Sequence, residues 1–218
     1  MKEVPGPTIK RLVLYYRFLE QFKKDNPQEV ISSVELGRGV GVTATQVRKD
    51  FSYLGQLGCK GIGYEIEALK KNLEEIIGFN RSWPAVLIGA GNLGRALVYY
   101  DKFRELGLKI TEIFDCDLNK IGNTVNGIKV RSCKEMEEVI LEKGIQIGVI
   151  AVPASEARGV ANRMVKAGIK AIWNFAPVPL NPGKEIVVIS EDLSSGIGSL
   201  FFRLKNQSGL QRPITNWS

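Results

Sequence analysis

The most chemically specific pattern in the chain is Gly89-Ala90-Gly91-Asn92-Leu93-Gly94. In Gly-x-Gly-x-x-Gly the first glycine permits a tight turn and the second lets the backbone approach a pyrophosphate. The third lets the following helix pack close to the preceding strand. The helix start then aims free N–H groups at the anion. Glycines alone do not say this; a strand before them and a helix after them do. Ala85-Val86-Leu87-Ile88 is an apolar run of strand type, and Arg95 to Tyr100 continues at helical spacing. A second apolar stretch, Lys109 to Phe114, ends in Asp115. A carboxylate at such a strand end accepts both hydroxyls of an adenosine ribose and repels a 2′-phosphate. Asp117 is the alternative bearer of that role. The chemistry expected here is the binding of a dinucleotide.

Other chemistry is excluded. Among 218 residues there is no histidine, so no mechanism uses imidazole as acid, base or metal ligand. Cys59, Cys116 and Cys133 stand singly with no CxxC, which suits inert thiols of a cytosolic protein better than a disulfide or zinc framework. Neither a catalytic set nor a metal site is expected. Hydrophobic residues make up 44% and charged ones 24%, ordinary for a globular chain of one large or two small domains. No apolar run approaches the roughly 20 residues of a membrane span. Met1 to Pro7 lacks an apolar signal core, so the expected location is the cytoplasm, away from membranes.

The net charge is +7, and its distribution is uneven. Lys2, Lys10, Arg11, Arg17, Lys23 and Lys24 face only Glu3 and Glu20 near the N-terminus, and Arg38, Arg48, Lys49 and Lys60 face only Asp50. A basic end beside a near-neutral middle suits a polyanionic partner, with solvated surface charge as the alternative.

The elements that hold these residues follow from periodicity. Ile9, Leu12, Val13, Tyr16, Leu19 and Phe22 predict a first helix from Thr8 to about Lys24. Ser32 or Ser33 caps a short second helix, broken by Gly37, Gly39 and Gly41. A third, Val42 to Leu54, turns Val47, Phe51 and Leu54 inward and projects Arg48 and Lys49, with Thr43, Thr45 and Gln46 near its exposed start. Two helices, a glycine turn and a polar–basic helix make a helix-turn-helix whose third helix enters a major groove. The glycines of Gly55 to Tyr64 suit a tight hairpin wing around Lys60, with a three-helix bundle and flexible loop as the alternative. Glu65 to Phe79 is helical again, and Asn80 to Pro84 is the expected domain boundary.

From Ala85 strands and helices alternate: Ile128–Val130, Lys134–Leu141, Gln146–Val152, Ala154–Ala167, Ile169–Phe175 and Glu185–Ser190. That succession predicts an α/β fold, a Rossmann-like doubly wound parallel sheet. Its ligand would lie across the strand ends near Gly89, Asp115, Val152-Pro153-Ala154 and Asn174-Phe175-Ala176-Pro177. Asp192 to about Asn206 carries an apolar helical face that packs either on its own sheet or on a partner subunit. The expected division is residues 1–80 as a winged helix-turn-helix domain, 81–190 as a nucleotide domain and 191–218 as a C-terminal helix and tail.

This combination resembles one family, the redox-sensing transcriptional repressor Rex, over nearly the whole chain. The resemblance rests on Arg11-Leu12, Tyr16-Arg17-Phe18-Leu19, Gln46 through Tyr53 and Gly61-Ile62-Gly63-Tyr64. Gly89 through Gly94, Phe114-Asp115-Cys116-Asp117 and Asn174 through Pro177 continue it in the same order. It implies a homodimer that holds double-stranded operator DNA when NAD⁺ predominates and releases it on binding NADH. It further implies a C-terminal helix exchanged between subunits. The implied DNA contacts are Thr43, Thr45, Gln46, Arg48, Lys49 and Ser52, with Lys60, Tyr64 and Arg11. The implied nucleotide contacts are Gly89 through Gly94, Asp115, Asp117, Val152, Pro153, Asn174 through Pro177, and Tyr100 near the nicotinamide. Arg17, Tyr100 and Asp192 match switch positions by the same resemblance. Leu193 stands where some relatives carry phenylalanine, a departure that bears on how the nicotinamide is enclosed. Two rival readings use the same glycine turn: an NAD-dependent oxidoreductase with a helical extension, and a CoA-binding subunit of a larger ligase. The missing histidine and the lack of a substrate-sized domain count against the first.

Overall fold

The computed structural model describes residues 4–26, 28–55, 57–58 and 62–207. The chain divides into two compact units, Met1–Ser82 and Trp83–Ser218.

The first unit runs α1 (Gly6–Asp25), β1 (Val30–Ile31), α2 (Ser33–Val40), α3 (Ala44–Phe51), β2 (Tyr64–Glu65) and α4 (Ile66–Ile77). Its helix starts follow local chemistry. Pro7 sits in the first turn of α1, where a missing N–H matters least. Ser32 Oγ accepts from Glu35 N at 3.2 Å while Glu35 accepts from Ser32 N at 2.9 Å, a capping box that fixes the entry to α2. Thr43 Oγ1 accepts from Gln46 N at 3.1 Å and caps α3.

Three features differ from the sequence expectation. Gly37 and Gly39 lie inside α2, and only Gly41, at φ +76°, ends it. Their smallness serves packing: a Cβ on Gly37 would sit 2.7 Å from Val42 O, and one on Gly39 would overlap the Phe18 ring. Secondly, Tyr64–Glu65 pairs antiparallel with Val30–Ile31, a short strand that the sequence expectation does not contain. Gly55, Leu57 and Gly58 carry no strand, and Cys59, Lys60 and Gly61 lie outside the described residues. Thirdly, the buried face of α1 is Thr8, Leu12, Tyr15, Tyr16 and Leu19, with Ile9 turned out. Tyr15 is drawn inward by Asp50, which is itself fully buried: the hydroxyl donates to Asp50 Oδ2 at 2.8 Å.

The second unit begins with β3 (Trp83–Ile88), α5 (Asn92–Tyr99), α6 (Asp101–Glu105), β4 (Leu108–Asp115), β5 (Thr124–Val125) and β6 (Ile128–Ser132). A 3₁₀ turn at Cys133–Glu135 leads into α7 (Met136–Lys143), β7 (Ile147–Ile150), α8 (Ala154–Lys166), β8 (Ala171–Asn174), β9 (Val187–Ser190) and α9 (Leu193–Gln207). The sheet order is β5-β6-β4-β3-β7-β8-β9, all parallel except β5. The parallel strands thus grow outward in both directions from β3, the doubly wound arrangement. Alternation along β3 sends Val86 and Ile88 to one face, with Phe114, Met136, Ile140, Val160 and Met164, and Ala85 and Leu87 to the other, with Leu97, Ile113 and Val149. Both faces are covered, which is why these strands are almost continuously apolar. Each fully buried aliphatic side chain contributes roughly 1.5–3 kcal/mol to that core.

In this unit two elements lie outside the sequence expectation. The short α6 is one. The edge hairpin β5–β6 is the other: Val125 pairs with Ile128 across Asn126 at φ +49° and Gly127 at φ +80°. Asn-Gly is a strong local signal for that turn, and it was legible in the sequence. From Leu193 to Asn206 every residue of α9 is exposed, among them Ile197, Leu200, Phe201 and Phe202, so packing on its own sheet is not what covers this face.

Candidate functional site

A cavity of about 460 Å³ opens at the C-terminal ends of β3, β4 and β7, where the order of strands reverses. The three glycines of the turn have three different surroundings. Gly89 adopts φ +103°, and a Cβ there would overlap the Ala151 carbonyl. A Cβ on Gly94 would overlap Gly89 O, so α5 approaches β3 only with glycine at that place. Gly91, as N-cap of α5, has open space on its Cβ side. That open flank beside unpaired first-turn amides is the geometry a pyrophosphate requires, so the residues present fit a dinucleotide.

Gly89, Gly91, Asn92, Leu93, Asp115, Asp117, Val152 and Pro153 line this cavity, as the sequence reading expected of nucleotide contacts. Ala90 and Gly94 are buried behind it. Cys116, Lys120, Cys133 and Glu156 also line it and were not anticipated. For Lys120 the signal was available: it follows Asp117 at the i,i+3 spacing of a turn.

Asp115 is placed differently from the ribose-binding expectation. Its Oδ2 accepts from Ala90 N at 2.7 Å and from Lys120 Nζ at 3.2 Å, and its Oδ1 accepts from Asp117 N at 2.8 Å. Burial pushes this carboxyl up, but the hydrogen bonds from Asp117, Ala90 and Lys120 outweigh it and hold it below the usual carboxylate range. Asp115 therefore ties the glycine turn to the end of β4, and Ala90 N is spent on that tie. Asp117 is the freer carboxylate, with 41% of its side chain exposed against 10% for Asp115. Lys120 Nζ lies 3.5 Å from Asp117 Oδ2.

Asn174, Phe175, Ala176, Pro177 and Tyr100 are not in the cavity lining. Asn174 is fully buried and shapes its own loop: Nδ2 donates to Val178 O at 2.9 Å and to Ala176 O and Ser190 Oγ at 3.2 Å, while Oδ1 accepts from Ala176 N. A ladder of rings joins Tyr100 to that loop through Phe103, Trp173 and Phe175, with centroids 4.7, 5.0 and 4.7 Å apart. Arg17, Tyr100 and Asp192 are all exposed. The Asp192 carboxyl accepts from Ser194 Oγ at 2.5 Å and Ser194 N at 2.9 Å at the start of α9, which holds it below its usual range.

In the first unit α3 turns Thr43, Thr45, Arg48, Lys49 and Ser52 outward. Arg48 is steadied on that surface by Nη1 donating to Ser33 Oγ at 2.9 Å and Nη2 to Thr45 Oγ1 at 3.2 Å. Three residues expected on the DNA face also bond or pack inward. Arg11 forks onto Asp50 at 2.6 and 2.7 Å, Gln46 Nε2 donates to Asp50 Oδ1 at 3.0 Å, and the half-buried Tyr64 ring packs edge-on against Phe51. Asp50 is the residue that sequence reasoning missed. Thr8, Arg11 and Tyr15, spaced one and two turns apart on α1, were the polar trail leading to it.

Among the described residues no group of carboxylates and thiols could hold a metal ion, and no helix is long and apolar enough to cross a membrane.

Comparison with known proteins covers both units. Residues 3–52 match the family model described as "Putative DNA-binding protein N-terminus", and residues 80–178 match that of a CoA binding domain. The redox-sensing transcriptional repressor Rex of Carboxydothermus hydrogenoformans is 44% identical over 93% of this chain and 97% of its own. Rex 1 of Thermotoga maritima is 43% identical over 93% and 97%. Among solved structures, RSP, a Rex-family repressor, matches over 97% of this chain and 98% of its own, with 34% identity and a TM-score of 0.88. RSP in complex with β-NAD⁺ and operator DNA gives a TM-score of 0.90, and RSP in complex with β-NADH gives 0.87. With that identity running through both units, the chain belongs to the family of redox-sensing transcriptional repressors called Rex.

Proposed function

We propose that this protein binds operator DNA as a homodimer and leaves it when NADH fills the cavity, so that transcription in the cytoplasm follows the NADH/NAD⁺ balance. The observation that carries this is the glycine turn over the cavity: Gly89 and Gly94 are fixed by packing, and Gly91 alone is left open toward a ligand. RSP is described with β-NADH, and with β-NAD⁺ and operator DNA, which supports the same ligands here.

The pyrophosphate sits at Gly91, Asn92 and Leu93, flanked by Val152 and Pro153. Asp117 takes the adenosine ribose, with Asp115 holding the turn. The nicotinamide end reaches toward the Asn174–Pro177 loop and Tyr100. DNA meets Thr43, Thr45, Arg48, Lys49 and Ser52. The exposed α9 face, Leu193, Ile197, Leu200 and Phe201, is covered by the second subunit, because an apolar helix of this length does not stay in water unpartnered. Arg17 and Asp192 report closure of the dimer.

NADH and NAD⁺ differ only at the nicotinamide ring, so the switch needs NADH to prefer the closed form more than NAD⁺ does. Linkage is reciprocal: operator must weaken NADH binding by the factor by which NADH weakens operator binding. Fluorescence titration of NADH with and without saturating operator tests this. Equal affinities overturn it, and tight binding of CoA in place of NADH would favour the ligase-subunit reading.

A further inference from the structure

We propose that Cys116 and Cys133 form a peroxide-reactive dithiol inside the nucleotide cavity, whose disulfide form opposes nucleotide binding. Both residues line the cavity; Cys116 is exposed and Cys133 is buried. The sheet brings the residues just before them together. Strands β4 and β6 pair in parallel with Asp115 opposite Ser132, and the two cysteines stand one step further along each chain. Cys116 lies in the bend just past β4 and Cys133 opens the 3₁₀ turn just past β6, with their side chains near enough for the Cys116 sulfur to act on the Cys133 thiol.

The two thiols have different roles. Burial, then a hydrogen bond with the Cys116 sulfur, pushes the Cys133 thiol up to about 12, so it stays protonated and takes no part in the first step. The exposed Cys116 sulfur attacks a peroxide oxygen and gives up its proton. An S–O bond forms, the O–O bond breaks, and the departing hydroxide takes a proton and leaves as water. Cys133 sulfur then attacks the Cys116 sulfenic sulfur. The S–S bond forms, the S–O bond breaks, and the hydroxyl leaves with the Cys133 proton as a second water. Two thiols are oxidised to one disulfide, and one peroxide is reduced to two waters.

The consequence lies at the adenosine end. Cys116 sits between Asp115, which holds the glycine turn, and Asp117, whose N–H donates to Asp115. Drawing Cys116 toward Cys133 pulls at both carboxylates. This second half rests on the cavity being the nucleotide site; the disulfide itself does not.

The test uses the full chain carrying Cys59→Ser, reduced, then treated with hydrogen peroxide, alkylated and mapped by mass spectrometry. A Cys116–Cys133 linked peptide is expected, absent in Cys116→Ser and in Cys133→Ser. NADH affinity of the oxidised protein should fall about tenfold, the loss of one charge-assisted hydrogen bond, and recover with dithiothreitol. In Cys116→Ser peroxide should leave the NADH affinity of that variant unchanged. Cys116 found unmodified or as sulfinic acid, with no linked peptide, overturns the dithiol. A linked peptide with unaltered NADH affinity overturns the regulation. A reduced protein that binds no NADH at all overturns the cavity assignment, while the peptide map still decides the dithiol.

Discussion

Asp50 in the first unit and Asp115 in the second are buried carboxylates that tie distant segments together, and neither behaves as a surface acid. Asp50 accepts from Thr8, Arg11, Tyr15 and Gln46. Burial pushes its carboxyl up, and those four donors more than reverse it, so it lies below the usual range. A depressed native pKa means the stabilisation is fully present above the ordinary aspartate value and is lost as pH falls through the native one. Asp50→Ala strips the partners from Tyr15 and Arg11 and should cost about 3 kcal/mol, the low end for a broken buried pair because Arg11 keeps some water. Urea unfolding at neutral pH measures it, and the gap from wild type should close as the pH is taken well below about 4. A gap that persists in acid would mean the loss is one of packing. Asp115 and Asp117 separate in a nucleotide titration. Asp115→Ala loosens the glycine turn and should weaken NADH and NADPH alike, about tenfold. Asp117→Ala should instead narrow the preference for NADH over NADPH. Unchanged preference in Asp117→Ala would return the ribose to Asp115.

At the scale of the element, α3 is an eight-residue helix with two jobs on opposite sides. Val47, Asp50 and Phe51 face the core, and Thr45, Arg48, Lys49 and Ser52 face out. Arg48, steadied by Ser33 and Thr45, is suited to a base edge, and Lys49 to a phosphate. Arg48→Ala should cost roughly 1–3 kcal/mol on operator and little on unrelated DNA. Lys49→Ala should weaken both and lower the salt slope by about 0.9. Anisotropy titrations over a salt series distinguish the two, and wild-type behaviour in both variants would move the DNA face elsewhere.

For the molecule as a whole, the exposed face of α9 is the surface on which the proposed dimer rests. Its apolar residues are exposed on one chain, Phe202 at 70% and Leu193 at 65%. Substituting Ile197 and Phe201, both exposed on the single chain and outside its core clusters, by Asp leaves the sheet's core untouched. It should leave thermal unfolding of the sheet nearly unchanged while converting a dimer to monomers in sedimentation velocity, with operator affinity falling alongside. A dimer that survives would place the subunit interface on another surface.

The sequence by itself determined the glycine turn, the strand–helix alternation, a serine cap for α2 and the polar face of α3. All of these are set by residues within a few positions of one another, through spacing, φ freedom and local hydrogen bonds. The hairpin at Asn126-Gly127 was equally local and could have been read. Only the tertiary structure decided where Asp50 and Asp115 point, because their partners come from distant positions: Thr8, Arg11 and Tyr15 for one, Ala90 for the other. The same holds for β2, whose partner is Val30–Ile31, and for the meeting of Cys116 and Cys133 at one cavity. Spacing along a chain fixes which face of an element is apolar. Which buried polar group meets which donor is fixed only when the elements have packed, since an unpaired carboxylate in the core costs more than any local preference offers.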